Sequence, residues 1–529
     1  MFIIYEKDHC FSRFDIGFPL LPDLDAPAMD KSWKASEGEF VVASVFTDHM
    51  VLQRETSAPV WGWAAKGAKV TVATSWDRKK YSATAGKDGR WEVKVTTPEA
   101  GGPYSLTVCC RKKKVVLEDV MVGEVWLCTG QSNMQHYVTG FDGQGVEGAL
   151  EALLDAPGYK SQVRVFDVET DKAYEPMTMV PSEWKYTDAN VVYNTSAVAY
   201  HFAKQLAKTL GITVGIITCP WGGCRIEPWL SEEYLRKSLE GRILDSRLKV
   251  ILGRREKEGS APVQVGTMYN ARMYPVKGYA LKGFLWYQGC SNIGDITYYD
   301  KMQAGMVECW RNLWGDTEAA LPFYFATIAP YSYGDSANPQ RALFVENQLN
   351  SLSLIPNSGA VITETLGDEG CIHPARKIPV AMQFAMLALD RDYGVQTRAG
   401  SGFPYPDEVV FPANSSVTPG TVLQSGFKID VLKGEAADQK ITVHFANARR
   451  GLGHLTEKQG NVMGFEVAGK DKVFHPVEAW TRGNRVELDC TGIADPVAVR
   501  YSFHNYCESN LASGIGIPVP PFRTDKWAE

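Results

Sequence analysis

Two hydrophobic rhythms divide the chain. From Phe40 to Val122 the apolar residues fall in short or alternating runs at 41–46, 58–63, 68–74, 80–85, 90–96 and 104–108. Lys87-Asp88-Gly89 reads as a hairpin turn and Gly101-Gly102-Pro103 as a breaker between such runs. The pattern predicts a small β-sandwich.

At Glu124 the period changes. Short apolar runs at 125–128, 163–168, 213–218, 283–287, 322–328 and 360–363 read as buried strands. Helical patterns lie between them, at 298–314, 339–352 and 374–392, and at 196–210 Val198, Phe202, Leu206 and Leu210 recur every four residues. Strands alternating with helices predict βαβ units and a mainly parallel sheet with helices on both faces. Short strands return between about 402 and 522, for example at 439–446 and 497–503. The reading is therefore an irregular arm at 1–38 marked by Pro19, Pro22 and Pro27, a β-domain at 39–122, an α/β domain at 123–400 and a β-rich domain at 401–529.

Composition narrows the function classes. The 529 residues carry 55 Lys plus Arg against 61 Asp plus Glu, a formal charge of −6, with dense basic runs only at Arg78 to Lys80 and Arg111 to Lys114. That balance lacks the electrostatic footprint of a nucleic-acid binder. No stretch reaches the ~20 apolar residues of a membrane span; the longest, 210–221, reads as a buried strand. Phe2-Ile3-Ile4 is interrupted at once by Glu6, Lys7 and Asp8, so no secretory signal is read at this start. Eleven cysteines without a CxxC pair and nine histidines without HxH or HExxH spacing announce neither a disulfide scaffold nor a metal site. Asn194-Thr195-Ser196 and Asn414-Ser415-Ser416 fit the glycosylation sequon, which matters only for a secreted chain.

In a parallel α/β sheet, function collects beyond the carboxyl ends of the strands. Four loops there carry Gly and polar groups. Thr129-Gly130-Gln131-Ser132-Asn133-Met134 offers a hydroxyl entering a helix, where free N–H groups can receive an oxyanion, or else a simple N-cap. Trp221-Gly222-Gly223-Cys224-Arg225 lets the backbone approach a ligand, and Gln288-Gly289-Cys290-Ser291-Asn292 supplies two amides. Asp368-Glu369-Gly370-Cys371-Ile372-His373-Pro374 supplies a histidine, as general base or as a structural residue. A hydroxyl nucleophile, oxyanion donors and a base are together the parts of acyl transfer.

Gly130-Gln131-Ser132-Asn133-Met134, Trp221-Gly222-Gly223, Trp286-Tyr287-Gln288-Gly289 and Ile372-His373-Pro374 resemble the ordered blocks of the sialate O-acetylesterase family within the SGNH hydrolases. Residues 45–54 and Val60-Trp61-Gly62-Trp63 resemble that group's N-terminal β-domain. The resemblance implies a flavodoxin-like esterase core that removes O-acetyl groups from sugars without metal or organic cofactor. It makes Ser132 the nucleophile and His373 the base, with oxyanion donors from the backbone of Ser132 and of Gly222 or Gly223, and from the side chain of Gln288 or Asn292. Gln131, Arg225 and Trp286 are the substrate-binding candidates; Arg225 would hold a sialic acid carboxylate, or pair with Glu227. The family also points to secreted, periplasmic or lysosomal locations, which this N-terminus does not support.

Two departures stand out. Many relatives carry Asp two or three residues before the histidine, where this chain has Cys371 and Gly370; Asp368 is the remaining candidate third member, and otherwise a Ser–His dyad results. The third block commonly carries Glu where this chain has Cys290. Cys290 and Cys371 are expected either to meet, as thiols or as a disulfide, or to be unrelated buried thiols. The competing readings are deacetylation of xylan or another polysaccharide, and a non-catalytic carbohydrate-binding protein on a degenerate hydrolase scaffold.

Overall fold

The computed structural model describes residues 38–240, 245–255, 261–397, 402–435, 439–454 and 461–527. The arm expected at 1–38 lies outside the described residues except for Gly38, as does the expected division at 400 and 401.

The central strands are β1 (Lys113–Gly130), β2 (Val163–Asp167), β3 (Trp184–Tyr186), β4 (Val214–Thr218), β5 (Gly283–Tyr287), β6 (Phe323–Ala326) and β7 (Ser358–Val361). Their order across the sheet is β3-β2-β4-β1-β5-β6-β7. All neighbours pair parallel except β3, which runs antiparallel to β2. Every residue of β4 and of β5 is buried, as befits strands covered on both faces. Side chains alternate between those faces. Trp126 and Cys128 face a core shared with helices Ala197–Leu210 and Ile378–Arg391. Val125 and Leu127 face a core that includes Met302, Met306 and Trp310 of helix Tyr299–Trp314.

The sequence suggested a short strand at 125–128, whereas β1 is 18 residues long. Its first half alternates exposed and buried positions and pairs antiparallel with Gly101–Cys110; from Val122 onward every residue is buried. One strand thus begins in the N-terminal β region and ends in the middle of the parallel sheet, crossing residue 122 without a break. Beyond 402, sheets of six, four and two strands enclose a separate apolar core running from Val409 to Phe522.

This order makes β1 the switch point. The chain leaves it for β2 on one side and later returns to β5 on the other, so the loops after β1, β4 and β5 converge where ligands bind in open α/β sheets.

Candidate active site

Gly130 closes β1 with φ 148°, and a Cβ there would overlap the Tyr287 carbonyl oxygen at the end of β5. Only glycine lets the two strand ends come this close. Gln131 N–H then donates to Tyr287 O at 3.0 Å and Trp221 N–H to Gly130 O at 3.0 Å, pinning the turn to both neighbouring loops. The turn delivers Ser132 as the first residue of the short helix Ser132–Gln135, where its N–H has no intrahelical acceptor. Ser132 is not the N-cap: Gln131 holds that position and makes no side-chain cap bond.

His373 Nε2 lies 2.7 Å from Ser132 Oγ, although 241 positions separate the two residues. On the ring's other side, Nδ1 lies 2.6 Å from Gln144 Oε1. An amide oxygen only accepts, so Nδ1 carries the proton and Nε2 presents its lone pair to the Ser132 hydroxyl. Phe141 packs edge-on to the imidazole, with ring centroids 5.3 Å apart. Gln144 sits on a tight loop in which its backbone pairs with Phe141 and its carbonyl accepts from His136 Nε2 at 2.9 Å.

Two causes keep the imidazole neutral. Burial pushes His373 down to about 4, and the charge of Lys377 adds to it. Burial and Lys377 likewise push His136 down to about 3. Lys377 itself is fully buried and donates to Asn133 Oδ1 at 2.6 Å. Burial pushes its ammonium down to about 7 against the pull of Cys290 and Cys371.

Several residues proposed from the sequence take other places. Asp368 does not orient His373: its Oδ1 accepts from the N–H groups of Gly370 and Cys371, at 2.8 and 2.9 Å, and so shapes its own turn. Gln288 and Asn292 are braces rather than oxyanion donors. Gln288 Nε2 donates to Cys224 O and Asn292 Oδ1, and its Oε1 accepts from Tyr299 OH. Asn292 Oδ1 also accepts from Ile226 N–H, and Nδ2 donates to Glu227. Buried amides must find partners, and these find them within the wall.

Gln131 is such a brace too, accepting from Gly289 N–H at 2.9 Å. Trp286 is fully buried, edge-on to Trp229 and Trp310, and belongs to the core. Arg225 pairs with Glu227 and Asp295 and donates to Ser291 O at 2.7 Å, so of its two sequence readings the structure shows the ion pair. Burial alone would raise Glu227, but Arg225 and Arg254 hold it below the usual carboxylate range. Cys290 and Cys371 are free thiols, not a disulfide, and both act electrostatically on Lys377.

Gly222 stays close to the hydroxyl. A Cβ on it would lie 3.8 Å from Ser132 Cβ, and its N–H donates to Gln135 Oε1 at 2.8 Å. Gly223 is exposed with φ 68°. Among the described residues no three His, Cys, Asp or Glu side chains cluster to hold a metal, and no helix is long and apolar enough to cross a membrane. Sequence reasoning missed Gln144, His136 and Lys377; the clustered glycines at 140, 143 and 145 were the one local sign of a special loop.

Residues 122–378 match the family described as carbohydrate esterase, sialic acid-specific acetylesterase. The segment is a domain of that carbohydrate esterase family. The chain is 29% identical to a sialate O-acetylesterase of Rattus norvegicus, over 72% of this chain and 78% of that protein. It is 28% identical to a sialate O-acetylesterase of Homo sapiens, over 72% and 76% respectively. A crystal structure of a carbohydrate acetylesterase from Xanthomonas citri superposes with a TM-score of 0.75 at 28% identity, covering 92% of this chain and all of that one. The domain is therefore a hydrolase of the carbohydrate esterase class, and the mixed α/β architecture agrees with a fold of that type.

Proposed function

We propose that the protein is a serine carbohydrate O-acetylesterase in which Ser132 attacks the acetyl carbonyl and His373 takes its proton. The observation that carries this is the 2.7 Å approach of Oγ to Nε2, with Gln144 fixing the tautomer from the other side. The oxyanion would be met by the backbone N–H groups of Ser132 and of Gly222 or Gly223, displacing Gln135 Oε1 from Gly222. His373 would then give its proton to the departing sugar oxygen and activate the water that hydrolyses acetyl-Ser132. Each oxyanion donor is worth about 2.7–4 kcal/mol in the transition state.

The family and its named relatives support an O-acetyl ester of sialic acid as substrate. The commitment of Arg225 to Glu227 and Asp295 favours a second reading, an acetyl ester on an uncharged glycan, because it removes the guanidinium that a sialate carboxylate would need. Hydrolysis of p-nitrophenyl acetate tests the chemistry. The Ser132→Ala variant should lose roughly 10³-fold or more in kcat, and equal rates in both proteins would refute the assignment. Acetate release from 9-O-acetylated sialic acid against acetyl-xylan distinguishes the substrates.

A further inference from the structure

A cleft of about 580 Å³ opens beside the Ser132 helix, bounded by Gln135, Trp221 and Gly222 on the side of the reactive hydroxyl. That volume lies in the ordinary range for small-molecule sites. Gly222 joins it to the chemistry, since the same residue borders the cleft and comes within a methyl group's reach of Ser132. The half-buried indole of Trp221 is held along the wall by the Arg272 guanidinium, 4.7 Å from its ring centroid.

We propose, building on the esterase reading, that this cleft seats the sugar ring of the substrate and that it accepts an uncharged pyranose in preference to a sialate. Its polar groups are those that read hydroxyls. Asp167 accepts from Thr218 Oγ1 at 2.8 Å through one oxygen, and Asn190 and Asn194 line the rim. Its cations are already engaged. Arg272 is buried, and both its Nη atoms donate to backbone carbonyls, of Pro220 and Thr170. Lys185 is paired with Glu169 at 3.3 Å. Asp167 in turn feels the charges of Arg272 and Lys185, so a carboxylate brought into the cleft would find every cation of the lining already engaged. A ring hydroxyl would donate to the same oxygen, with Trp221 offering an apolar surface to the C–H face of the sugar.

Binding separates this inference from the chemistry, because it needs no turnover. Calorimetric titration of the Ser132→Ala protein with xylotetraose, cellotetraose and N-acetylneuraminate should show a neutral oligosaccharide bound at least ten-fold more tightly than the acid. Asp167→Asn, added to that protein, should weaken neutral-sugar binding at least ten-fold; Asn190→Ala, an exposed change that spares the wall, should weaken it measurably. Equal or tighter binding of N-acetylneuraminate, no binding of either oligosaccharide, or indifference to both substitutions would overturn the assignment. Sugar binding by a chain that hydrolyses no ester would sink the esterase reading while leaving the cleft in place.

Discussion

Gln144 Oε1 and His373 Nδ1 are 2.6 Å apart, on the ring edge opposite Ser132. A neutral amide thus stands where hydrolases of this chemistry more often place a carboxylate. It can hold the tautomer, but it cannot stabilise the imidazolium by charge.

Gln144→Ala should lower kcat by up to about 100-fold through a misplaced ring, with little change in KM. Gln144→Glu should raise the pKa of His373 from about 4, because a carboxylate beside Nδ1 favours the charged ring. Its activity should then fall away at a higher pH on the acid side than in the parent. A pH–rate series on p-nitrophenyl acetate reads both effects, and an unshifted acid limb in the Glu variant would contradict the contact.

Much of this site could be read from the chain, and for a physical reason. Strand and helix periods are local, so the positions of the strand-end loops followed from them, and Ser132 and His373 sat in blocks with their own signature. Gln144 was not legible because its relation to His373 spans 229 positions and lies in the tertiary fold alone. Gln288 and Asn292 were misread since an amide that braces a wall and one that receives an oxyanion are the same residue type. Burial decides between them, and both are almost fully enclosed. The length of β1 was missed because its first half alternates and its second half is uniformly apolar, two patterns that look like separate strands.

The parent enzyme should remain active in mild acid. A general base works only when unprotonated, and the acid limb of kcat/KM reports its pKa in the free enzyme. Burial and Lys377 place that of His373 at about 4, so the rate should hold down to about pH 5 and then fall. A limb centred near the ordinary imidazole value of about 6.5 would show the ring to be more solvated than it is here.

Gly130→Ala should disrupt the site before it disrupts the fold. The new methyl would collide with the backbone of Tyr287, which cannot move without breaking the β1–β5 ladder. Overpacking of this kind costs about 1–3 kcal/mol. The displaced turn would also carry Ser132 out of reach of His373. Chemical denaturation compared with esterase activity should show a modest fall in stability beside a near-complete loss of turnover.

Arg341 and Glu364 tie the parallel sheet to the C-terminal region. Both are buried, joined by two hydrogen bonds of 2.8 Å, and Arg341 also donates to the carbonyls of Ser502 and His504. Arg341→Met should destabilise by about 3–5 kcal/mol, since it leaves Glu364 charged and enclosed without its partner. Combining it with Glu364→Gln should recover part of the loss. Urea unfolding of the two single variants and the double variant measures the coupling; strict additivity would show that the pair is not a unit.

Lys377 offers the sharpest electrostatic test. Its buried ammonium depresses His373 and His136 together, and the thiols Cys290 and Cys371 act on it in turn. Removing the positive charge favours the imidazolium, so Lys377→Met should move the acid limb of the rate profile upward from about pH 4. Burial, the larger cause, stays in place and keeps the limb below the ordinary histidine value. The height of the profile will also fall, because Asn133 Oδ1 loses its donor, but a merely structural defect would lower the curve without shifting it. Lys377→Arg, which keeps the charge, should leave the limb where it is. An unshifted midpoint in the Met variant would mean that burial alone sets the basicity of His373.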